Sequence, residues 1–118
     1  MNIRLSKSEL VVMQIIWDSS NGISISELQK QLAYKNWTLS TIQSFITRLI
    51  SKKAIRLEYR KRKRIFYPCI SRNYLKIESL KEFVNQWYSD SPEEIISDLI
   101  NLHLIINKAE NTKNINLI

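Results

Sequence analysis

Side chains that can contact a nucleic acid are concentrated in one stretch of this chain, residues 38–64. Nine of the chain's 18 Lys and Arg fall between Arg48 and Arg64, against a single acid, Glu58. Hydroxyl, amide and guanidinium groups can bind base edges or phosphates, and clustered cations attract phosphate. The pattern therefore predicts a DNA interface. The candidate contact residues are Ser40, Thr41, Gln43, Ser44, Thr47, Arg48, Ser51, Lys52, Arg60, Lys61, Arg62, Lys63 and Arg64.

Two successive periodicities predict how these groups are positioned. Apolar residues recur at helical spacing over residues 42–49, which places the small polar groups on the opposite face of that helix. Over residues 55–60 the period becomes two, which predicts a strand, with a hairpin tip at residues 60–63 and a return strand at residues 65–70. A helix followed by a basic hairpin is typical of a winged helix, in which the helix enters the major groove and the hairpin follows phosphates.

The absence of acids distinguishes this helix from an ordinary polar surface. No acid occurs between Glu27 and Glu58, a span of 30 residues. This favours DNA contact over a solvent-exposed face with no partner. A basic tip that binds nothing specific remains the alternative for residues 60–64.

Helix-capping signals precede the candidate interface. Ser6 to Glu9 and Ser24 to Glu27 have the spacing of capping boxes, which predicts a first helix near residues 7–18 and a short second helix. Three helices and a hairpin are the winged helix-turn-helix order. The aromatic residues Trp17, Trp37, Phe45 and Phe66 fall on apolar faces and are predicted to pack in the core rather than stack on bases.

The C-terminal part predicts self-association. Ser71 is expected to cap a fourth helix ending near Tyr88, and Ser91-Pro92 to start a fifth helix that is apolar on most of its circumference. Such a helix must be covered on more than one side, by a second copy or by the same domain. Residues 107–118 are predicted to be a frayed tail. The candidate dimerisation residues are Ile77, Leu80, Val84, Trp87, Ile95, Ile96, Leu99, Ile100, Leu102 and Ile106.

Charge and composition exclude several classes of function. Residues 1–70 carry 13 cations and 4 anions, whereas residues 71–118 carry 5 and 7, so an anionic partner is expected for the first part alone. With one Cys and one His, and without paired acids or a Gly-rich phosphate loop, the sequence predicts no enzyme, no metal site and no cofactor. No polar group of residues typical of a small-ligand sensor is evident. No apolar stretch near 18 residues and no signal-peptide pattern is present, which predicts a cytoplasmic protein without membrane insertion.

Two groups of residues resemble the bacterial penicillinase repressor family over roughly residues 6–90. The first consists of Ser6, Glu9, Val12, Met13, Ile16 and Trp17, and the second of Trp37, Thr41, Ile42, Ile46, Thr47, Arg48, Leu49, Lys52 and Lys53. The resemblance implies a winged-helix homodimer that represses transcription. In the best-known members the genes confer β-lactam resistance, and a membrane sensor protease triggers cleavage of the repressor.

The chain also departs from that family's pattern. Ala54 stands where a glycine commonly follows the recognition helix, and Ser40 and Gln43 replace basic side chains of some relatives, which implies a different operator. The relatives' cleavage region falls near Asn101-Leu102, where the match is loose. A copper-responsive branch carries cysteine pairs, which the lone Cys69 cannot provide.

The predicted fold is mainly α, with a winged helix-turn-helix domain and two-stranded β wing over residues 1–70 and C-terminal dimerisation helices over residues 71–118. The predicted function is a sequence-specific repressor that binds a dyad DNA operator as a homodimer. The alternative is a winged-helix adaptor that binds protein or RNA. Steeply salt-dependent affinity for duplex DNA would favour the repressor.

Overall fold

The structure, a computed structural model, describes the backbone of residues 3–117 and the side chains of residues 3–109. Its elements are α1 (Lys7–Trp17), β1 (Ile23–Ser24), α2 (Ile25–Gln31), a 3₁₀ turn (Ala33–Lys35), α3 (Leu39–Ser51), β2 (Ile55–Arg60), β3 (Lys63–Pro68), α4 (Arg72–Trp87) and α5 (Glu94–Leu117). The predicted mainly α fold with a β wing is confirmed. Within the described residues, no helix combines the length and the apolar content needed to cross a bilayer.

Helices α1, α2 and α3 pack around one core because each has a capped start and an apolar stripe. The Ser6 hydroxyl accepts from the Glu9 backbone N–H at 3.1 Å, and Ser24 and Thr38 cap α2 and α3 in the same way. These caps fix the residue at which each helix begins, and so which face turns inward. The largest fully buried side chains are Val12, Met13, Ile16, Leu28, Leu32, Ile42, Leu49 and Phe66.

A short strand that the sequence analysis missed completes the sheet. In β1, Ile23 pairs with Phe66 in the antiparallel order β1-β3-β2, so the predicted two-stranded wing is corrected to a hairpin with a third strand. Two residues are too few to give a periodic signal. Gly22, at a φ of 79°, precedes β1, and a Cβ there would lie 2.5 Å from the Ile65 side chain. Pro68 is the last residue of β3, where the missing N–H disturbs the ladder least.

The end of α3 is closed without glycine. Lys53 takes a φ of 62°, its N–H donates to the Ile50 carbonyl at 2.9 Å, and the Ala54 N–H donates to the Leu49 carbonyl at 2.9 Å. This is a Schellman motif, with the left-handed residue at Lys53. Ala54 itself is fully buried, so the position that departs from the family pattern is constrained by packing.

Helices α4 and α5 follow the winged helix, and the chain divides after Ile77 into two compact units. The Ser71 hydroxyl accepts from the Tyr74 N–H at 3.0 Å and caps α4 as predicted. The functional boundary after residue 70 remains a prediction. Helix α5 continues to Leu117, since no Gly or Pro follows Pro92 to stop it, and the frayed tail predicted over residues 107–118 stays a prediction. Residue 118 lies outside the described backbone.

Candidate nucleic-acid interface

Helix α3 presents the predicted polar face to solvent. Ile42, Ile46 and Leu49 are buried against the core. The opposite side exposes Ser40, Gln43, Ser44, Thr47, Arg48 and Ser51, with Thr41 half-buried at its edge. Within the described structure this helix carries no acid in its first turn. The positive end of its dipole is therefore uncompensated and can attract phosphate.

Threonine hydroxyls on α3 are oriented by internal hydrogen bonds. The Thr38 hydroxyl accepts from the Thr41 N–H at 3.1 Å and donates to the Thr41 hydroxyl at 3.0 Å. The Thr47 hydroxyl donates to the Gln43 carbonyl at 2.9 Å. Because the Thr38 and Thr47 hydroxyl protons are already donated within the protein, the hydroxyl oxygens of these residues can only accept hydrogen bonds from a ligand. Gln43 can both donate and accept, which is the chemistry that reads an adenine edge.

An aromatic cluster supports the cations at one side of α3. The Trp37 and Phe45 rings are in edge contact, with centroids 4.9 Å apart. The Arg48 guanidinium lies 5.8 Å from the Phe45 centroid, and the Lys35 ammonium lies 5.6 Å from the Trp37 centroid. Phe45 and Trp37 are half-buried on the core, as predicted, and their rings hold two cations by cation–π contact beside the polar face.

The wing joins this face through Arg64. In the β2–β3 register Arg64 pairs with Tyr59, and alternation places it on the side of Leu57 and Phe66. Arg64, Gln43 and Thr47 line one groove of about 300 Å³ between α3 and the sheet. The structure therefore brings together a wing cation and two predicted reading residues that are far apart in the sequence.

The other wing cations divide between the tip and the opposite side of the hairpin. Lys61 and Arg62 form the turn with φ values of 49° and 67°, and both are exposed. Arg60 and Lys63 pair on the side away from Leu57. Arg60 lies over the Tyr67 ring at 5.3 Å. An intramolecular contact thus holds Arg60, whereas the tip cations project into solvent.

Lys52 is set apart from the other predicted contacts. Its ammonium donates to both Glu9 carboxylate oxygens, at 2.8 and 2.6 Å, and to the Arg4 carbonyl at 2.7 Å. The Glu9 side chain is 3% exposed and that of Lys52 36%. Burial raises the pKa of Glu9, but hydrogen bonds from Lys52 and Ser6 outweigh it and hold the pKa below its ordinary value of 4.5. All three ammonium protons have partners, so Lys52 joins α3 to α1 rather than extending towards DNA.

Comparison with known proteins identifies the relatives of this chain. The family model described as penicillinase repressor matches residues 5–114. The chain belongs to the penicillinase repressor family. It is 32% identical over 102 residues to the methicillin resistance regulatory protein MecI of Staphylococcus aureus (strain N315), covering 81% of this chain and 78% of the relative. It is 29% identical over 99 residues to the penicillinase repressor of Bacillus licheniformis, covering 82% and 76%.

Solved structures of the repressor BlaI resemble this family member. The solution structure of the BlaI DNA-binding domain matches with a TM-score of 0.54 and 34% identity, over 59% of this chain and 85% of that one. The Bacillus licheniformis BlaI monomeric form, in complex with the blaP half-operator, matches with a TM-score of 0.54 and 32% identity, over 61% and 89%. The predicted resemblance and the winged-helix fold are confirmed.

In this penicillinase repressor family member, the start of α4 is fixed to α1. The Arg72 guanidinium donates to the Gln14 side chain at 3.0 Å, the Gln14 carbonyl at 3.3 Å and the Asp18 carboxylate at 2.7 Å. The Trp17 indole N–H donates to the Ile70 carbonyl at 2.8 Å, and Arg72 lies over that indole ring at 5.3 Å. The cation therefore sits at the negative end of the α1 dipole, where it is most favourable.

The predicted dimerisation residues of this family member are largely exposed in the single chain. Val84 and Ile95 are half-buried. The exposed members are Ile77, Leu80, Trp87, Ile96, Leu99, Ile100, Leu102 and Ile106. Phe83, Leu104 and Ile105 are also exposed and were missed, although they lie in the same apolar runs. Within residues 78–109 no described side chain is buried, so this unit has no core of its own.

Proposed function

We propose that this chain is a transcriptional repressor that binds a dyad DNA operator as a homodimer. The observation that carries the proposal is the groove shared by Gln43, Thr47 and Arg64, because polar groups with the chemistry to contact bases lie there beside a cation that can bind phosphate. A relative's structure with a half-operator supports duplex DNA over the alternative adaptor that binds protein or RNA. A function by binding rather than catalysis is consistent with the family.

The backbone conformation of the wing tip also supports the proposal that the wing contacts DNA. Both central residues of the β2–β3 turn, Lys61 and Arg62, have positive φ, which Asn-Gly would adopt at lower energy. A left-handed conformation costs a non-glycine residue roughly 1–2 kcal/mol. The presence of cations at these positions is consistent with a requirement for positive charge at the tip, where the phosphate backbone of bound DNA would lie.

The C-terminal unit supports the dimer. Ile95, Leu99, Leu102 and Ile106 recur at spacings of four, three and four residues, which is the seam that a partner helix covers. Leu99 and Leu102 are 55% and 52% exposed in the single chain. Leaving such apolar surface in water is unfavourable by about 25 cal/mol per Å². A two-fold pair would also present two copies of α3 to successive turns of one face of a duplex.

The experiment is a fluorescence-anisotropy titration of the full chain with duplex DNA at several salt concentrations. Each phosphate contact contributes about −0.9 to the slope of log affinity against log salt. Replacing Arg62 and Arg64 with Gln should flatten the slope by roughly 1.8 and weaken binding to all sequences. Replacing Lys76 and Lys81 of α4 with Gln is the matched control, because it removes the same charge from outside the interface.

An unchanged slope in the Arg62 and Arg64 variant, or an equal change in the control, would remove the wing from the interface. No affinity for duplex DNA at low salt would favour the adaptor. Control of β-lactam-resistance-type genes by this chain, relief of repression by proteolysis near Asn101-Leu102 and a membrane sensor protease as partner remain predictions from the family resemblance.

A further inference from the structure

A second groove lies within the C-terminal unit, between the end of α4 and the first turns of α5. Its lining residues are Phe83, Trp87, Tyr88, Glu94 and Asp98, and its volume is about 460 Å³. The Phe83 ring centroid lies 6.4 Å from that of Trp87 and 6.2 Å from that of Tyr88. Three aromatic rings therefore face two carboxylates that are one helical turn apart.

The polar groups of this groove favour the binding of a positively charged group. The Tyr88 hydroxyl donates to Asp98 Oδ2 at 2.8 Å, which fixes that carboxylate beside the rings. This hydrogen bond also raises the pKa of Tyr88, so the phenol stays neutral. Residues 82–107 carry five acids and no Lys or Arg, in a chain whose net charge is +7. A local negative potential thus surrounds an aromatic surface.

We propose that this groove binds a small organic cation, such as an arylalkylammonium or a quaternary ammonium compound. Aromatic faces attract ammonium groups that keep an apolar shell, and the carboxylates complement their charge. A metal ion does not fit as well, since among the described residues no group of three or more His, Cys, Asp or Glu could hold one. An anion would be repelled by both acids.

The volume of the groove is large enough to admit a small-molecule ligand. A groove of about 460 Å³ lies within the range of small-molecule sites, roughly 300–1,000 Å³. A basic side chain from a second copy of the chain is the competing occupant. This site could not be predicted from the sequence because Trp87 and Asp98 belong to different helices, and only the fold of the intervening turn brings them together.

The test is an NMR titration of the full ¹⁵N-labelled chain with benzyltrimethylammonium. The indole N–H peak of Trp87 is assigned by its loss in Trp87→Phe, and those of Trp17 and Trp37 in the other unit serve as internal controls. We expect a saturable shift of the Trp87 peak alone. Benzyl alcohol, which is neutral, and benzenesulfonate, which is anionic, should bind at least about tenfold more weakly.

Variants separate charge from shape. Glu94→Gln with Asp98→Asn keeps the size of both side chains and should weaken benzyltrimethylammonium binding about tenfold or more. Asp90→Asn removes an exposed acid of the same segment that does not line the groove, and should bind normally. Far-UV circular dichroism confirms that each variant is folded.

Three outcomes would overturn the proposal. The Trp87 peak does not move, or benzyl alcohol binds as tightly as the cation, or the doubly neutralised variant binds unchanged. A different result would assign the groove to a basic side chain of a second copy of the chain. In that case the parent protein does not bind the probe, and the doubly neutralised variant shifts the monomer–dimer equilibrium in sedimentation. Failure here leaves the proposed operator binding untouched, because the groove lies wholly within residues 78–118.

Discussion

The Glu9–Lys52 ion pair should contribute to folding stability rather than to DNA affinity. Glu9 is buried and accepts from Lys52 at 2.6 Å, so removing Lys52 leaves a buried carboxylate without the two hydrogen bonds from that ammonium. Breaking a buried pair from one side typically costs about 3–5 kcal/mol. Because Lys52 is 36% exposed, water can replace part of its contacts, and we expect Lys52→Met to cost about 2 kcal/mol.

A double-mutant cycle measures the pair itself. Glu9→Gln, Lys52→Met and the double variant are unfolded with urea at one protein concentration, because self-association would make stability concentration-dependent. The double variant should be less destabilised than the sum of the single variants, with a coupling of about 1–2 kcal/mol. Lys30→Met, an exposed lysine at the end of α2, is the control and should stay within about 0.5 kcal/mol of the parent.

The coupling should depend on pH in a direction set by Glu9. The pKa of Glu9 is lowered on folding from its ordinary 4.5, so its stabilisation is fully present above 4.5 and is lost as pH falls through the lower folded value.

In the anisotropy titration, Lys52→Met should leave the salt slope unchanged. A coupling of zero at neutral pH, or a slope flattened by about 0.9, would refute the structural role and return Lys52 to the interface.

Three further predictions concern the interface and the dimer. Gln43→Ala should relax base preference at one operator position by about 1–3 kcal/mol in a selection experiment, and an unchanged consensus would exclude Gln43 as a reader. Lys61→Asn with Arg62→Gly should raise the free energy of unfolding by roughly 1 kcal/mol yet flatten the salt slope. Leu99→Asp with Ile96→Asp should give a folded monomer without tight operator binding. The control Asn101→Asp should remain dimeric. A double variant that is still dimeric in sedimentation equilibrium would contradict the proposed dimer contact along α5.

Sequence patterns predicted the elements of this fold because its helices carry strong local signals. The capping box at Ser6 and Glu9 and the caps at Ser24, Thr38 and Ser71 involve residues three apart, and the structure shows a side-chain hydrogen bond at each. Burial of the apolar stripe in α3 then decides which polar side chains are exposed. Such short-range features depend little on tertiary structure.

The partners of Lys52 and Arg60 could not be predicted from the sequence because they depend on tertiary contacts. Lys52 looked like one more cation in a basic stretch, and only the approach of Glu9, 43 residues earlier, gives it an internal partner. Arg60 is likewise drawn over Tyr67. In both cases residue type indicated the available chemistry, but the fold set the partner, which lies 43 residues away for Lys52 and across the β2–β3 hairpin for Arg60.

Helix α1 provides the physical link between the two proposed activities. In its first turn Glu9 holds Lys52 at the end of α3, and at its C-cap Asp18 holds Arg72 at the start of α4. Between these ends α1 buries Val12, Met13 and Ile16 completely, so it should transmit position as a rigid body. The placement of α3 and the origin of the proposed dimerisation region are therefore fixed by one 11-residue element. Loosening the Asp18–Arg72 end of α1 should weaken the proposed operator binding more than non-specific binding, since only a dyad operator requires two copies of α3 at a defined separation.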